Sequence, residues 1–163
     1  MHYYIDGYNL LFKVSFQHKN LSLEEKRTRL IELLEQYAST YNLSLSLVFD
    51  GQDENSTQHF HSIEIVYTGS YQSADDYLID LFSSLTHKKR AVLVTSDNKL
   101  RYTVQHMGFK SMSIEDFLHI AKKRRRKRTP KSASYQSTKK EEEHLPPLSD
   151  FSSWEKIFSD LMN

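Results

Sequence analysis

The chain has 163 residues and a net charge of +1, which is enough for one domain with a hydrophobic core and an additional segment. It contains no cysteine, which excludes a disulfide framework, a thiolate metal site and a thiol nucleophile. The sequence has no apolar stretch of the roughly 20 residues that span a membrane and lacks the layout of a signal peptide. We therefore expect a soluble, cytoplasmic protein without membrane contact.

The charge is unevenly distributed along the chain. Residues 1–121 carry 11 Lys and Arg against 15 Asp and Glu, a net charge of −4. Residues 122–163 carry 11 against 6, a net charge of +5. This distribution predicts an acidic globular part with a basic tail.

The first half of the chain predicts strands that alternate with a helix. The run HYYI predicts a first strand, which ends at Asp6 in the turn DGYN. Residues 21–41 have the apolar spacing of an amphipathic helix, with Ser22 and Glu25 as its capping box. Two further strands, LSLSLVF and IEIVYT, flank a polar stretch that is either an exposed loop or a hairpin.

The second half continues the alternation. A helix begins after its N-cap Ser73, a buried strand leads to Asp97, and a short helix stops at Gly108. The run FKSM predicts a last strand, and Ser113 caps a last helix that ends near residue 121. This order predicts an α/β domain over residues 1–121, with a mainly parallel sheet between helical layers.

The remaining residues differ in composition from this domain. Residues 122–148 combine charge blocks with Ser, Thr and Pro, and predict a basic, low-complexity linker that is disordered. Residues 149–163 have the spacing of a short amphipathic helix. That helix either folds back on the domain or binds a protein partner.

Aspartates collect where the predicted strands end. Three of them end strands, and two lie at the start of a helix that leaves a strand through a short loop. They are Asp6, Asp50, Asp97, Asp75 and Asp76. Ligands of open parallel sheets bind at the carboxyl ends of the strands, so we expect these acids to share one site.

This set of acids favours a hard divalent cation. Clustered carboxylates repel each other, and oxygen ligands without sulfur or imidazole suit Mg²⁺ or Mn²⁺. Such an ion supports water attack on a phosphodiester, where Asn9 would orient a water or the phosphate and Gly7 would let substrate approach the backbone. Each aspartate alone is more often a turn former or a helix cap. A phosphoaspartate receiver does not fit, because the first strand ends in one acid and the late strand in TSD.

Four motifs in order resemble a known family. They are DGYN, VFDG, YTGSYQSADDYLI and VTSD, and the match around them runs in order over about residues 3–120. This pattern resembles the YacP-like group of NYN domains in the PIN-like ribonuclease superfamily, which includes bacterial ribosome-associated endoribonucleases. The resemblance implies a PIN-like α/β/α fold and metal-dependent cleavage of RNA.

The resemblance also implies roles for individual residues. By position, Asp6, Asp75 and Asp97 would hold the metal, while Asn9 and Asp50 would line the same catalytic pocket. Asp76 stands where the family often has glutamate, and its shorter side chain leaves its metal role open. The family's link to the ribosome suggests messenger RNA on the ribosome as the substrate.

The basic run KKRRRKR, from Lys122 to Arg128, predicts RNA or ribosome binding. Its seven cations are Lys122, Lys123, Arg124, Arg125, Arg126, Lys127 and Arg128. The alternative is a solvated helix end. Tyr8, Tyr67 and Tyr71 either stack on RNA bases or belong partly to the core.

The leading hypothesis is a metal-dependent endoribonuclease acting on single-stranded RNA. The competing hypothesis is a non-catalytic RNA- or ribosome-binding module on a PIN-like scaffold. A DNA nuclease with the same metal chemistry also stays open, because no residue identifies a sensor of the 2′-hydroxyl group.

Overall fold

The structure is a computed structural model that describes residues 1–14, 21–51, 56–69 and 72–128. The side chains of residue 122 and residues 124–128 lie outside this description. So do the predicted linker from residue 129 onward, the predicted C-terminal helix over 149–163, and Tyr71.

Six strands form one sheet in the order β3-β4-β2-β1-β5-β6. Their bounds are β1 His2–Asp6, β2 Ser44–Phe49, β3 Ser56–His59, β4 Ile63–Tyr67, β5 Ala91–Val94 and β6 Lys110–Met112. The neighbours pair in parallel except β3, which pairs antiparallel with β4. The polar stretch before β4 is therefore part of a hairpin, and the predicted mainly parallel sheet is confirmed.

Five α-helices in the described residues cover the two faces of the sheet. Their bounds are α1 Gly7–Lys13, α2 Leu23–Tyr41, α3 Ala74–Ser84, α4 Asn98–His106 and α5 Ile114–Arg128. A short 3-10 helix, Lys88–Arg90, precedes β5. The predicted capping box of α2 is present, and Ser73 caps α3 as predicted.

Two apolar clusters hold the three layers together. One packs α1, α2 and α5 on one face of the sheet through residues such as Leu10, Leu34 and Phe117. The other packs α3 and α4 on the opposite face through Phe82 and Val104. Burial of these side chains supplies most of the free energy that favours folding.

Helix α1 corrects the turn that DGYN predicts. Asp6 is its N-cap, and the backbone N–H of Asn9 donates to Asp6 Oδ1 over 3.0 Å. Leu10 and Leu11 are buried in the core, which fixes the helix against the sheet. The sequence therefore starts a helix at Gly7, where we expected a polar loop to follow the strand.

Gly7 serves packing instead of the predicted approach of substrate. It is buried, and a Cβ atom at this position would lie 2.5 Å from the ring of Phe49. Phe49 is itself fully buried at the end of β2. The glycine therefore lets α1 pack closely over β2.

Helix α5 extends beyond the predicted end of the domain. The backbone is helical from Ile114 to Arg128 and so includes the basic run. The backbone of residues 122–128 is thus helical, while the domain boundary near residue 121 and the linker over residues 122–148 stay predictions. In the part of the chain that the structure describes, no helix is long and apolar enough to cross a membrane.

Candidate active site

The aspartates lie near the point in the sheet from which successive strands are added first on one side of β1 and then on the other. From β1 the chain continues to β2 on one side, and it later returns to β5 on the other side of β1. Crevices of this kind, at the carboxyl ends of the strands, bind ligands in open α/β sheets. We call this place the acidic edge, and its residues are Asp6, Asp50, Asp75, Asp76 and Asp97.

Asp6 is held firmly at the end of β1. It is only 4% exposed, and both of its carboxylate oxygens accept hydrogen bonds. Asn9 donates to it through its backbone N–H and through its side-chain amide. Asn9 therefore orients Asp6, whereas we expected its amide to face a water or a phosphate.

Thr95 joins the ends of β1 and β5, and sequence reasoning missed it. Its Oγ1 donates to Asp6 Oδ2 over 3.2 Å and accepts from the backbone N–H of Asp97 over 3.1 Å. The residue is fully buried. One hydroxyl group thus fixes the distance between two acids that are 91 residues apart in sequence. The signal in the sequence is its place two residues before Asp97, directly after the buried strand.

Asp97 and Asp50 both bond to the starts of helices. Asp97 is the N-cap of α4, and its Oδ1 accepts from the N–H groups of Lys99 and Leu100 over 2.6 and 2.9 Å. Asp50 Oδ1 accepts from the N–H of Ala74, which ties the end of β2 to the first residue of α3. Acids at these positions also interact favourably with the helix dipoles.

Asp75 and Asp76 have different environments in the first turn of α3. Asp76 is exposed, and its Oδ2 accepts from the hydroxyl of its capping partner Ser73 over 2.8 Å. Asp75 is half-buried, and its carboxylate makes no hydrogen bond to any residue that the structure describes. Asp76 therefore acts as part of a helix cap, while the carboxylate of Asp75 is free for a ligand.

The acids of this edge affect one another electrostatically. Partial burial raises the pKa of Asp75, and the charges of Asp6, Asp97, Asp50 and Asp76 raise it further. Burial also raises the pKa of Asp6, with a smaller contribution from the charge of Asp50, although its hydrogen bonds from Asn9 and Thr95 oppose this rise. The four other acids therefore lie within electrostatic range of Asp75, and Asp50 also lies within range of Asp6.

A family model for the YacP-like NYN domain matches residues 3–159. The chain belongs to the YacP-like NYN family. The match covers almost the whole sequence, including the basic run and most of the predicted C-terminal helix. NYN domains are generally nuclease-like, and membership in the family supports an RNA-related function.

Two crystal structures of Rae1 (YacP) from Bacillus subtilis share the fold of this NYN domain. A single-residue mutant of Rae1 has 22% identity and a TM-score of 0.61, over 78% of this chain and 77% of that one. The second structure has 23% identity and a TM-score of 0.60, over 78% and 76% of the two chains. At these identities the likeness shows the fold, and it confirms the predicted PIN-like architecture. Among curated proteins, no sequence matches the chain.

The residues of the NYN domain fit a hard cation by their chemistry. The edge presents carboxylate oxygens, and the buried hydroxyl of Ser96, beside Asp97, has no hydrogen-bond partner among the described residues. However, no three or more His, Asp or Glu side chains of the described residues are grouped closely enough to hold one ion together. Mg²⁺ commonly uses one or two protein carboxylates and keeps several waters, which agrees with a more open set.

Other polar features lie away from the acidic edge. Glu64 accepts from the hydroxyl of Ser46 over 2.7 Å, and Ser46 also bonds to His2. A groove of about 400 Å³ lies between α2 and the turn that joins β3 to β4. None of the predicted site residues lines this groove; its lining is Ile31, Glu32, Glu35, Gln36, Ser39, Phe60 and His61.

Proposed function

We propose that this NYN domain is a metal-dependent endoribonuclease that cleaves single-stranded RNA by attack of water on a phosphodiester. The observation that carries the proposal is the convergence of charge at the acidic edge. Burial raises the pKa of Asp75, and the charges of all four other acids, which come from three strand ends and one helix, raise it further. A cluster of like charges lowers the stability of the fold, and acids with raised pKa values in a crevice are typical of functional sites.

The cation in this proposal is Mg²⁺ or Mn²⁺, and Asp6, Asp75 and Asp97 would hold it, one or two of them directly and the others through waters that the ion keeps. A bound ion of this kind supplies a lowered pKa for water and neutralises charge on the phosphate. Asp75 is the best-prepared ligand, because its carboxylate makes no hydrogen bond within the described part of the chain. Asp97 has one oxygen occupied by the N–H groups of α4, which leaves Oδ2 for the ion.

Three neighbouring residues position the acids that would hold the cation. Asn9 and Thr95 hold Asp6, and Thr95 also holds the backbone of Asp97. Asp50 ties α3 to the end of β2, which sets the place of Asp75. This chain of contacts keeps the acids in a fixed arrangement before substrate binds, which lowers the cost of organising them during the reaction.

The basic run, residues 122–128, would hold the RNA backbone. Seven consecutive cations on a helix favour binding to phosphates without sequence preference. The ribosome as a further partner, messenger RNA on the ribosome as the substrate and a cytoplasmic location belong to the same proposal.

A non-catalytic RNA- or ribosome-binding module is the second candidate. One observation favours it, since no group of three or more ligands suited to a metal is assembled in the described residues. Such a module would bind through residues 122–128 and would show no metal-dependent turnover.

The experiment compares cleavage of a labelled single-stranded RNA by the purified wild type, Asp6→Asn and Asp97→Asn, with and without chelator. Asparagine is also a good N-cap, so both variants should fold and retain RNA. We expect cleavage to fall at least 100-fold in each variant and to return in the wild type when Mg²⁺ or Mn²⁺ replaces the chelator. Asp80→Asn, on the exposed side of α3, is the matched control and should cleave normally. Full activity in either site variant, or in excess chelator, would exclude the proposal.

A further inference from the structure

We propose that Tyr8, Phe12 and Arg27 form a base platform, which binds one unpaired nucleobase of the RNA beside the acidic edge. That the ligand is RNA rests on the proposed function, whereas contacts among the described residues support the platform itself.

Phe12 is an unusually exposed aromatic side chain. It is 75% exposed on α1, while Leu10 and Leu11 of the same helix are buried. Its ring stacks on that of Tyr8, with centroids 5.8 Å apart and an interplanar angle of 19°. The ring of Phe12, stacked on Tyr8, thus offers an exposed aromatic face that the fold does not need for its own core.

Buried aromatic residues support the platform from behind. Tyr8 packs edge-on against the fully buried ring of Phe49, with centroids 5.2 Å apart. Phe49 in turn stacks on Tyr67 at the end of β4, with centroids 5.8 Å apart. Tyr8 and Tyr67 therefore belong partly to the core, and Tyr8 is held in place beneath Phe12.

Arg27 brings a positive charge to the same place. Its Nη1 donates to the hydroxyl of Tyr8 over 3.5 Å, and its guanidinium lies 5.7 Å from the ring centroid of Tyr67. A cation beside stacked aromatic rings suits a nucleotide, because it interacts with the phosphate while the rings receive the base.

Aromatic residues of the platform and of its support are close to acids of the acidic edge along the chain, and must therefore lie near them in space. Tyr8 is two residues after Asp6, and Phe49 directly precedes Asp50. Asp50 and Asp97 bond to the starts of α3 and α4, whereas Asp6 caps α1, the helix that carries Tyr8 and Phe12. A strand of RNA whose phosphate lies at the acids would thus cross the ends of β1 and β2 and place a neighbouring base on Tyr8 and Phe12.

Stacking explains why the occupant is an unpaired base. Every base has an aromatic face, so the platform would bind without strong sequence preference, and a base within a duplex could not reach it. The platform would therefore favour single-stranded RNA. It would also fix which phosphate of that RNA lies at the acids.

The experiment uses the full chain with short single-stranded RNAs that carry 2-aminopurine at one position, moved along the RNA. The buffer contains chelator, so that binding is measured without cleavage. We expect base-stacking to quench the fluorescence at one position with the wild type. Phe12→Ala should abolish this quenching and weaken binding about 5-fold to 100-fold, while Phe12→Tyr should retain both.

Phe60→Ala provides the matched control. Phe60 is also an exposed aromatic residue, at 45%, but it lies in the β3–β4 turn at the other end of the strands. Phe60→Ala should bind and quench as the wild type does. Equal loss in Phe60→Ala and Phe12→Ala would overturn the platform, and so would unchanged binding and quenching in Phe12→Ala, as for a surface that contacts protein.

The two proposals can fail separately. A wild type that binds RNA through Phe12 but never cleaves it would support the platform and contradict the nuclease. A wild type that cleaves RNA while Phe12→Ala keeps its affinity, quenching and KM would support the nuclease and overturn the platform.

Discussion

Asp6 shows how one residue serves both the fold and the site. Its carboxylate caps α1 and accepts bonds from Asn9 and Thr95, and it also contributes charge to the acidic edge. The same holds for Asp50 and Asp97, each of which bonds to the start of a helix. At this scale a helix cap and a functional acid are not alternatives, because one carboxylate has two oxygens and several lone pairs.

Replacing Thr95 by valine tests whether a buried hydroxyl positions the acids. Valine has a similar shape but cannot bond to Asp6 or Asp97, and an unmade buried hydrogen bond costs about 1–3 kcal/mol. We expect kcat of RNA cleavage to fall about tenfold or more while KM changes little. Thr95→Ser keeps the hydroxyl and should restore kcat, so equal losses in the two variants would contradict a positioning role.

Removing the charge of Asp75 should stabilise the metal-free protein. Its pKa is raised above the ordinary value of 3.8 by burial and by the neighbouring acids. The folded chain therefore binds this proton more tightly than the unfolded chain, and the contribution of Asp75 to stability falls as pH rises through the raised pKa. Because Asp75 is only half-buried, solvent screens its charge, and we expect Asp75→Asn to add roughly 0.2–1 kcal/mol at pH 7.

Urea unfolding at several pH values in chelator measures this effect. The gain of Asp75→Asn should be present at pH 7 and should vanish as pH falls toward 4, where the wild-type carboxyl group takes up its proton. Asp80→Asn, outside the acidic edge, should show no such pH dependence. A loss of stability at pH 7 in Asp75→Asn would contradict the like-charge account.

The individual acids were predictable, whereas their partners were not. An aspartate after a strand is visible in the sequence, and the order of strands and helices predicts that such residues share one edge. The bond from Thr95 to Asp6 depends on the register of β5 beside β1, which the sequence does not state. Asn9 was recognised as a site residue, but its amide orients Asp6, which could be seen only once α1 was known to begin at Gly7.

At the scale of elements, α1 is the feature that joins site and core. It begins directly at the end of β1, so Asp6 is both the last residue of the strand and the cap of the helix. With only seven residues it has little stability of its own, and the packing of Leu10 and Leu11 holds it in place. Helix α1 was not predicted because its apolar period covers less than two turns, whereas the longer α2 and α3 show their periods clearly.

Gly7→Ala tests the close packing of α1 on β2. Alanine would normally favour a helix, but here its Cβ would meet the ring of Phe49 at 2.5 Å. We expect a net loss of about 1–3 kcal/mol in the free energy of unfolding, measured with urea, as is typical of overpacked cores. The same change in a Phe49→Leu background should cost clearly less, since the smaller side chain leaves room. Equal costs in both backgrounds would contradict this account of Gly7.

At the scale of the whole molecule, charge is separated along the chain. The first 121 residues have a net charge of −4, and the basic run follows in the second half of α5. The acids alone would repel RNA, so in the proposed function the attraction would come from a cation at the edge and from the basic run. The sequence predicted this separation from composition. It did not predict that α5 stays helical to Arg128, since a block of like charges usually indicates disorder.

Salt dependence tests the role of the basic run in RNA binding. We expect the logarithm of the association constant to fall with the logarithm of salt concentration with a slope of about −5, if all seven cations contact phosphates of a single strand. Changing Arg124, Arg125 and Arg126 to glutamine should reduce that slope by about 2. Fluorescence anisotropy in chelator measures it, and Lys88→Gln with Lys89→Gln in the 3-10 helix is the control. An unchanged slope in the triple variant would contradict RNA binding by this run.

The most direct test of the central claim is to cleave a single-stranded RNA in H₂¹⁸O with Mg²⁺ or Mn²⁺ and to weigh the products by mass spectrometry. Attack by water predicts one ¹⁸O atom in the new terminal phosphate, which one of the two fragments of each cut carries while the other ends in a hydroxyl group. It also predicts at least 100-fold less product with Asp75→Asn and normal product with Asp80→Asn. Intact RNA with the wild type, or fragments that end in an unlabelled cyclic phosphate, would contradict metal-dependent hydrolysis at the acidic edge.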